Sequence, residues 1–251
     1  MLRYSVVRPM NKAMACLVII PGLLAAGAAA RADTHAVVES TRLYMDQQTK
    51  VTFEYWVAPD RSSRKAAGRA TITRDDLGLV WNLDLDGKSY SESVLRKPAA
   101  APPPSGPGRD MRKLWLDYYE PDFAWTIKDT GERKTVSGFD CREFRATGEA
   151  DFAEMDAAYW ICLTPGIPGG KTLHDYSLGQ YRGDGRMAAL LKLLEENPEG
   201  FCAYREETVE PSIAPTARAY TGLMKLEEAE APPGTYEIPA GFRKLDGRGG
   251  R

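Results

Sequence analysis

Alternating apolar and polar positions dominate the chain beyond residue 50. Over residues 51–57, Val51, Phe53, Tyr55 and Val57 share one face of a predicted strand, and Thr52 and Glu54 share the other. Leu79, Trp81, Leu83 and Leu85 alternate with Val80, Asn82 and Asp84, and Asp86-Gly87 predicts a two-residue turn into residues 88–90. Phe123, Trp125 and Ile127 form a third stripe. A long pair is predicted over residues 135–146 and 157–163, joined around 148–152, and a late strand near 219–226 completes a mainly antiparallel set. Helical spacing occurs twice. Met111, Leu114, Trp115 and Tyr118 define a helix over 110–119; Met187, Leu190, Leu191 and Leu194 define one over 185–197, which Pro198 stops. Each helix has one apolar stripe, enough to cover a sheet face and too little to span a membrane. Strands with one apolar face and one-stripe helices predict an α+β layered domain.

The start of the chain bears on the compartment. Arg3, Arg8 and Lys12 precede an uncharged stretch over 13–30, which exits through Ala30-Arg31-Ala32. This predicts a secretory signal at 1–32, starting at Met1 or Met10, with a single domain at 33–251 and a periplasmic destination. No transmembrane span is expected after cleavage. The whole chain has 251 residues and a net charge of −2. Cleavage leaves 219 residues and removes four basic side chains and no acidic one, giving 29 basic against 35 acidic, or −6. That balance offers no footprint for nucleic acid. Residues 98–108, rich in Pro and Ala, read as a semi-rigid surface loop inserted in the domain.

Several motifs approach known chemistry and stop short. Gly170-Lys171-Thr172 resembles the tail of a phosphate-binding loop, but position 165 is proline where glycine is needed, so a Gly/Pro turn is expected. Asn82, Asp84, Asp86 and Gly87 match the start of a calcium loop whose closing acid is missing, since position 93 is serine. After cleavage, Asp33-Thr34-His35 has the chemistry for a square-planar Cu(II) site, set against a frayed terminus. His174-Asp175 with Ser177 reads as polar loop residues, because sequence neighbours rarely converge as a catalytic triad. With two histidines in the chain, no catalytic residue, metal or cofactor is assigned, and a non-enzymatic protein is expected.

Three cysteines, Cys141, Cys162 and Cys202, follow the signal. An exported chain with an odd count implies one disulfide and a spare thiol. Cys141 and Cys162 lie in the two strands of the long predicted hairpin and form the favoured pair. Cys162–Cys202 is the alternative, anchoring the second helix to the sheet.

Three segments together resemble a known group. They are residues 79–84 running into Lys88-Ser89-Tyr90-Ser91-Glu92; Lys134-Thr135-Val136-Ser137-Gly138-Phe139-Asp140-Cys141-Arg142 with Tyr159-Trp160-Ile161-Cys162; and Tyr236-Glu237-Ile238-Pro239-Ala240-Gly241-Phe242. Their order resembles exported bacterial proteins of unknown function related to the outer-membrane lipoprotein carrier and receptor, the LolA/LolB-like fold. The resemblance implies a curved antiparallel sheet, an unclosed half-barrel with helices on its concave face and an apolar cavity for acyl chains. It brings no catalytic residues. On this reading Phe53, Tyr55, Trp81 and Trp125 line the cavity, and the partner is a lipid or lipidated protein. The rival is a cell-envelope interaction module in which those aromatics fill the core. Whether Trp81 and Trp125 face an open cavity separates the two.

Overall fold

The computed structural model describes residues 32–95, 123–150, 155–182, 184–211 and 215–245. The predicted helix over 110–119, the Pro-rich segment 98–108 and residues 1–31 of the predicted signal lie outside the described residues.

The strands are β1 (Asp33–Tyr44), β2 (Gln47–Ala58), β3 (Arg61–Ala66), β4 (Arg69–Arg74), β5 (Leu79–Asp84), β6 (Ser89–Val94), β7 (Ala124–Val136), β8 (Phe139–Ala150), β9 (Met155–Thr164), β10 (Phe201–Pro211), β11 (Ala217–Ala229) and β12 (Arg243–Lys244). Among the described residues, two helices, α1 (Gly170–Tyr181) and α2 (Ala188–Glu196), flank a 3-10 turn at Gly185–Met187. All twelve strands form one open sheet in the order β12-β6-β5-β4-β3-β2-β1-β11-β10-β9-β8-β7. The first strand and the last long strand pair with each other at its centre, joining two antiparallel meanders. Among the described strands, only β12 runs parallel to its neighbour, β6.

The observed architecture has more sheet than the alternation predicted. β1, β3, β4 and β10 carry too many charged and hydroxyl side chains for a simple apolar stripe. The predicted strand over 135–146 is broken at Ser137-Gly138, where φ is +50° and +84°. Two consecutive left-handed residues make the tight hairpin turn between β7 and β8. The turn from β5 to β6 spans residues 85–88 rather than Asp86-Gly87 alone.

Helix α1 falls where a Gly/Pro turn was expected. Gly169 enters it with φ +79°, and the Glu228 carboxylate accepts from the Gly169 N–H at 3.0 Å. Thus the positive end of the helix meets a carboxylate of the protein's own, which leaves no phosphate cradle. Helix α2 ends before Pro198 as its spacing predicted.

Both helices lie on the same sheet face. Leu190, Leu193 and Leu194 of α2, with Met187, pack on Phe144, Tyr159, Ile161 and Leu163. Leu173 and Tyr176 of α1 pack with Ala36, Phe201, Leu223 and Tyr55. Tyr55 and Trp56 are strand neighbours and therefore point to opposite faces. On the other face, the register places Trp56, Ser63, Ile72 and Trp81 side by side across β2 to β5. Tyr236, Ile238 and Phe242 of the C-terminal segment cover that row. Tyr236 also donates from its hydroxyl to Asp33 at 3.0 Å, tying the segment to the start of β1.

Candidate functional site

A cavity of about 380 Å³ opens between the sheet and α1. Register determines what its floor presents. Phe53, Val38 and Leu223 lie opposite one another across β2, β1 and β11, forming an apolar row. Two residues further along, Ser40, Thr221 and Arg205 align across β1, β11 and β10 as a polar row. All six line the cavity. Leu173, Tyr176 and Tyr181 of α1 form the roof, while exposed Arg64 and Gln180 stand at the rim. The Tyr55 ring meets Tyr176 edge-on at 5.8 Å.

The electrostatics are uneven. Burial, followed by neighbouring phenols, pushes the Tyr55 hydroxyl well above its ordinary range; burial also raises Tyr176 and Tyr181. These phenols stay neutral and offer hydrogen-bond donors. Arg205 has a side chain only 13% exposed. Burial opposes its charge, but Tyr181, Cys202, Glu207 and Tyr159 outweigh that and hold the guanidinium protonated above its usual range. Its Nη1 contacts the Met187 sulfur at 2.9 Å, and Glu207 is 3.9 Å away. Asp184 also lines the cavity, yet its carboxylate accepts from the Arg186 N–H at 3.0 Å and faces Nε at 3.4 Å.

Of the four predicted lining aromatics, the structure brings Phe53 and Tyr55 to this cavity. Trp81 is on the opposite face, 9% exposed under the C-terminal segment, with Nε1 donating to Glu92 at 3.0 Å. Trp125 stacks on Tyr159 at 4.7 Å and donates to the Gly185 carbonyl at 3.0 Å. It lies directly over Gly148, where an added Cβ would come 2.7 Å from the ring. Trp125 thereby holds the 3-10 turn that carries Met187 into the cavity. Arg205, Thr221 and Ser40 were not legible as site residues, because only the pairing of three distant strands aligns them.

Cys141 and Cys162 are joined by a disulfide with Cα atoms 5.3 Å apart, within the reach such a bridge requires. Glu143 is the in-register partner of Cys162, so the bridge runs diagonally, two residues along from the direct pair. Cys202 is free and lines the cavity. Burial pushes its thiol up to about 11. Since the thiolate is the reactive form, iodoacetamide should label Cys202 slowly at pH 8 and fully in denaturant. Rapid labelling of the folded protein, followed by mass spectrometry, would contradict this placement.

The other motifs have structural explanations. Asp33-Thr34-His35 is not a frayed terminus. Its backbone pairs with β2 and β11, and the His35 ring stacks on Trp56 at 4.3 Å between Glu227 at 3.0 Å and Glu54 at 3.2 Å. A square-planar copper site would need those amides and that ring, so the fold is incompatible with it. His174 is buried in α1, not a loop, and its Nδ1 meets the Gly200 carbonyl at 2.6 Å. Ser177 donates to the Leu173 carbonyl at 2.8 Å, away from the imidazole. Asp84 accepts from the Gly87 N–H at 2.9 Å, a turn contact. Among the described residues, no group of three or more His, Cys, Asp or Glu converges on a point. A second cavity, about 370 Å³ on the other face, contains Glu143 already paired with Lys134 and Arg145.

No family model and no curated protein matches the chain. Its structure is similar to that of a LolA superfamily protein from Nitrosomonas europaea, with 7% identity, a TM-score of 0.28, and coverage of 82% of this chain and 90% of that one. A DUF1329 family protein from Desulfovibrio piger is 11% identical at a TM-score of 0.26, covering 83% and 91%. The Pseudomonas aeruginosa MucA/MucB complex is 11% identical at 0.35, covering 83% and 56%. PNGF-II is 7% identical at 0.35, and this chain spans only 31% of its length. With all these TM-scores below 0.5, the likenesses carry no weight for ligand or activity. No helix among the described residues is long and apolar enough to cross a membrane.

Proposed function

We propose that this is an exported, non-enzymatic binding protein that holds an acyl chain, free or on a lipid or lipidated partner, between α1 and the sheet. The observation that carries this reading is the cavity of about 380 Å³ with its apolar row of Phe53, Val38 and Leu223. Its size falls within the range of small-molecule sites, and its apolar row runs beside polar and phenolic side chains that can fix a ligand's orientation. A sheet curved as a half-barrel around the helices would extend the cavity along the chain of a lipid. Export through cleavage after Ala32 would place the protein in the periplasm, where a structural disulfide such as Cys141–Cys162 persists.

A second reading has its own support. Trp81 is buried and Trp125 is half-buried and stacked on Tyr159, neither lining the cavity, which favours an envelope module with a filled core. Displacement of a fluorescent fatty acid separates the two. A saturable, stoichiometric signal that Leu223→Trp abolishes is expected for the binding protein. No uptake of any acyl probe would overturn that reading and leave the interaction module.

A further inference from the structure

The polar row beside the apolar one has no role in holding a hydrocarbon chain. Arg205 is the notable member: its side chain is 13% exposed, with no carboxylate among the described residues nearer than Glu207 at 3.9 Å. Its other partners are the Met187 sulfur, the Tyr181 phenol and the face of Tyr159, none of which carries a full negative charge. A buried cation is stable when an anion satisfies its fixed fork of N–H donors, and a sulfur atom does that poorly. Across the register sit two hydroxyls, Thr221 Oγ1 and Ser40 Oγ, 3.4 Å apart. Guanidinium plus hydroxyls is a donor set suited to a carboxylate or phosphate oxygen. The lining's charges are two arginines and one aspartate, and Asp184 is already engaged by Arg186. With Arg186 and Glu207 counted beside the lining, Arg64, Arg205 and Arg186 stand against Asp184 and Glu207, an excess of one positive charge in a protein that is otherwise slightly acidic.

We propose that the cavity selects a single-chain amphiphile with an anionic head, the head held by Arg205, Thr221 and Ser40 and the chain lying along Phe53, Val38 and Leu223. This rests on the acyl-binding reading of the same cavity and names the head that the ligand carries. Head and tail sites are adjacent because they are alternate same-face positions of the same strands, about two residues apart.

The test compares decanoate, 1-decanol and acetate as competitors of a fluorescent fatty acid at pH 7.5. Decanoate is expected to bind about tenfold more tightly than decanol, the scale of a hydrogen bond to a charged group. Acetate should not compete at the same concentrations. Arg205→Gln should bring the two ten-carbon ligands to within about threefold by weakening decanoate alone. Thr221→Val, a near-isosteric change on a strand, should reduce the discrimination part-way and provides the check should Arg205→Gln fail to fold. Equal binding of decanoate and decanol by the unaltered protein would overturn the anionic head while leaving acyl binding intact. Competition by acetate at decanoate's concentration would overturn it in favour of a small-anion site. Failure of every ten-carbon ligand to bind would remove acyl binding itself and the head selection with it.

Discussion

Leu190→Ala is expected to lower folding stability by about 2–5 kcal/mol, the scale for emptying a fully buried leucine site. Leu190 is 0% exposed and sits among Tyr159, Ile161, Phe144, Leu193 and Leu194. The cost should fall at the upper end, because the β8–β9 surface beneath it is a rigid, hydrogen-bonded ladder that cannot collapse into the cavity created. Helix α2 has nine residues, too few to be stable in water without packing. Loosening it frees the adjoining 3-10 turn and, with it, Met187, which contacts Arg205. Urea unfolding followed by circular dichroism should show a lower midpoint at nearly unchanged slope, together with weaker ligand uptake. A loss below about 1 kcal/mol would mean that this packing does not hold the helix.

Replacing both Cys141 and Cys162 with alanine should cost about 2–4 kcal/mol. The bridge closes a segment of 21 residues, and removing it lets the unfolded chain sample conformations that the bond forbids. Its diagonal placement also locks one register of β8 against β9. A one-residue slip of β8 would turn Phe144 away from α2, and a slip of β9 would turn Tyr159 and Ile161 away. The unaltered protein in reductant should unfold at the same urea concentration as the double variant. Were reduction harmless while the double variant unfolded early, the cost would come from the buried alanines and not from the lost cross-link.

Much of the sheet was legible because alternation is a local signal. β2, β5, the start of β7 and much of β8 and β9 repeat apolar side chains every second residue, whereas residues 128–135 of β7 carry none, and α2 repeats them at helical spacing up to Pro198. β3 and β4 were not legible, since their short runs expose Arg64, Lys65 and Arg69 and depend on neighbours for their pairing. α1 was missed for a related reason. Its sequence from Gly170 has few aliphatic residues, and its stability comes from Leu173 and buried His174 packing and bonding to distant segments. That Phe53 and Tyr55 share one face was legible because their strand is strongly patterned. Trp81 was placed with them from the same kind of stripe, but a stripe says that one face is apolar without saying which face the helices cover.

Sequence alone determined which segments alternate and where α2 stops, and it favoured Cys141–Cys162 while leaving Cys162–Cys202 open. Those are short-range consequences of side-chain size, backbone freedom and polarity. Only the tertiary structure decided that β1 lies at the centre of the sheet, that helices and C-terminal segment take opposite faces, and that Ser40, Thr221 and Arg205 form one row. The closest pair in that row is 16 residues apart along the chain, between Arg205 and Thr221, and Ser40 joins them across 181. Such a row exists only when β1 and β11 pair, a long-range contact whose loop-closure entropy is offset by the whole core and by no single local pattern.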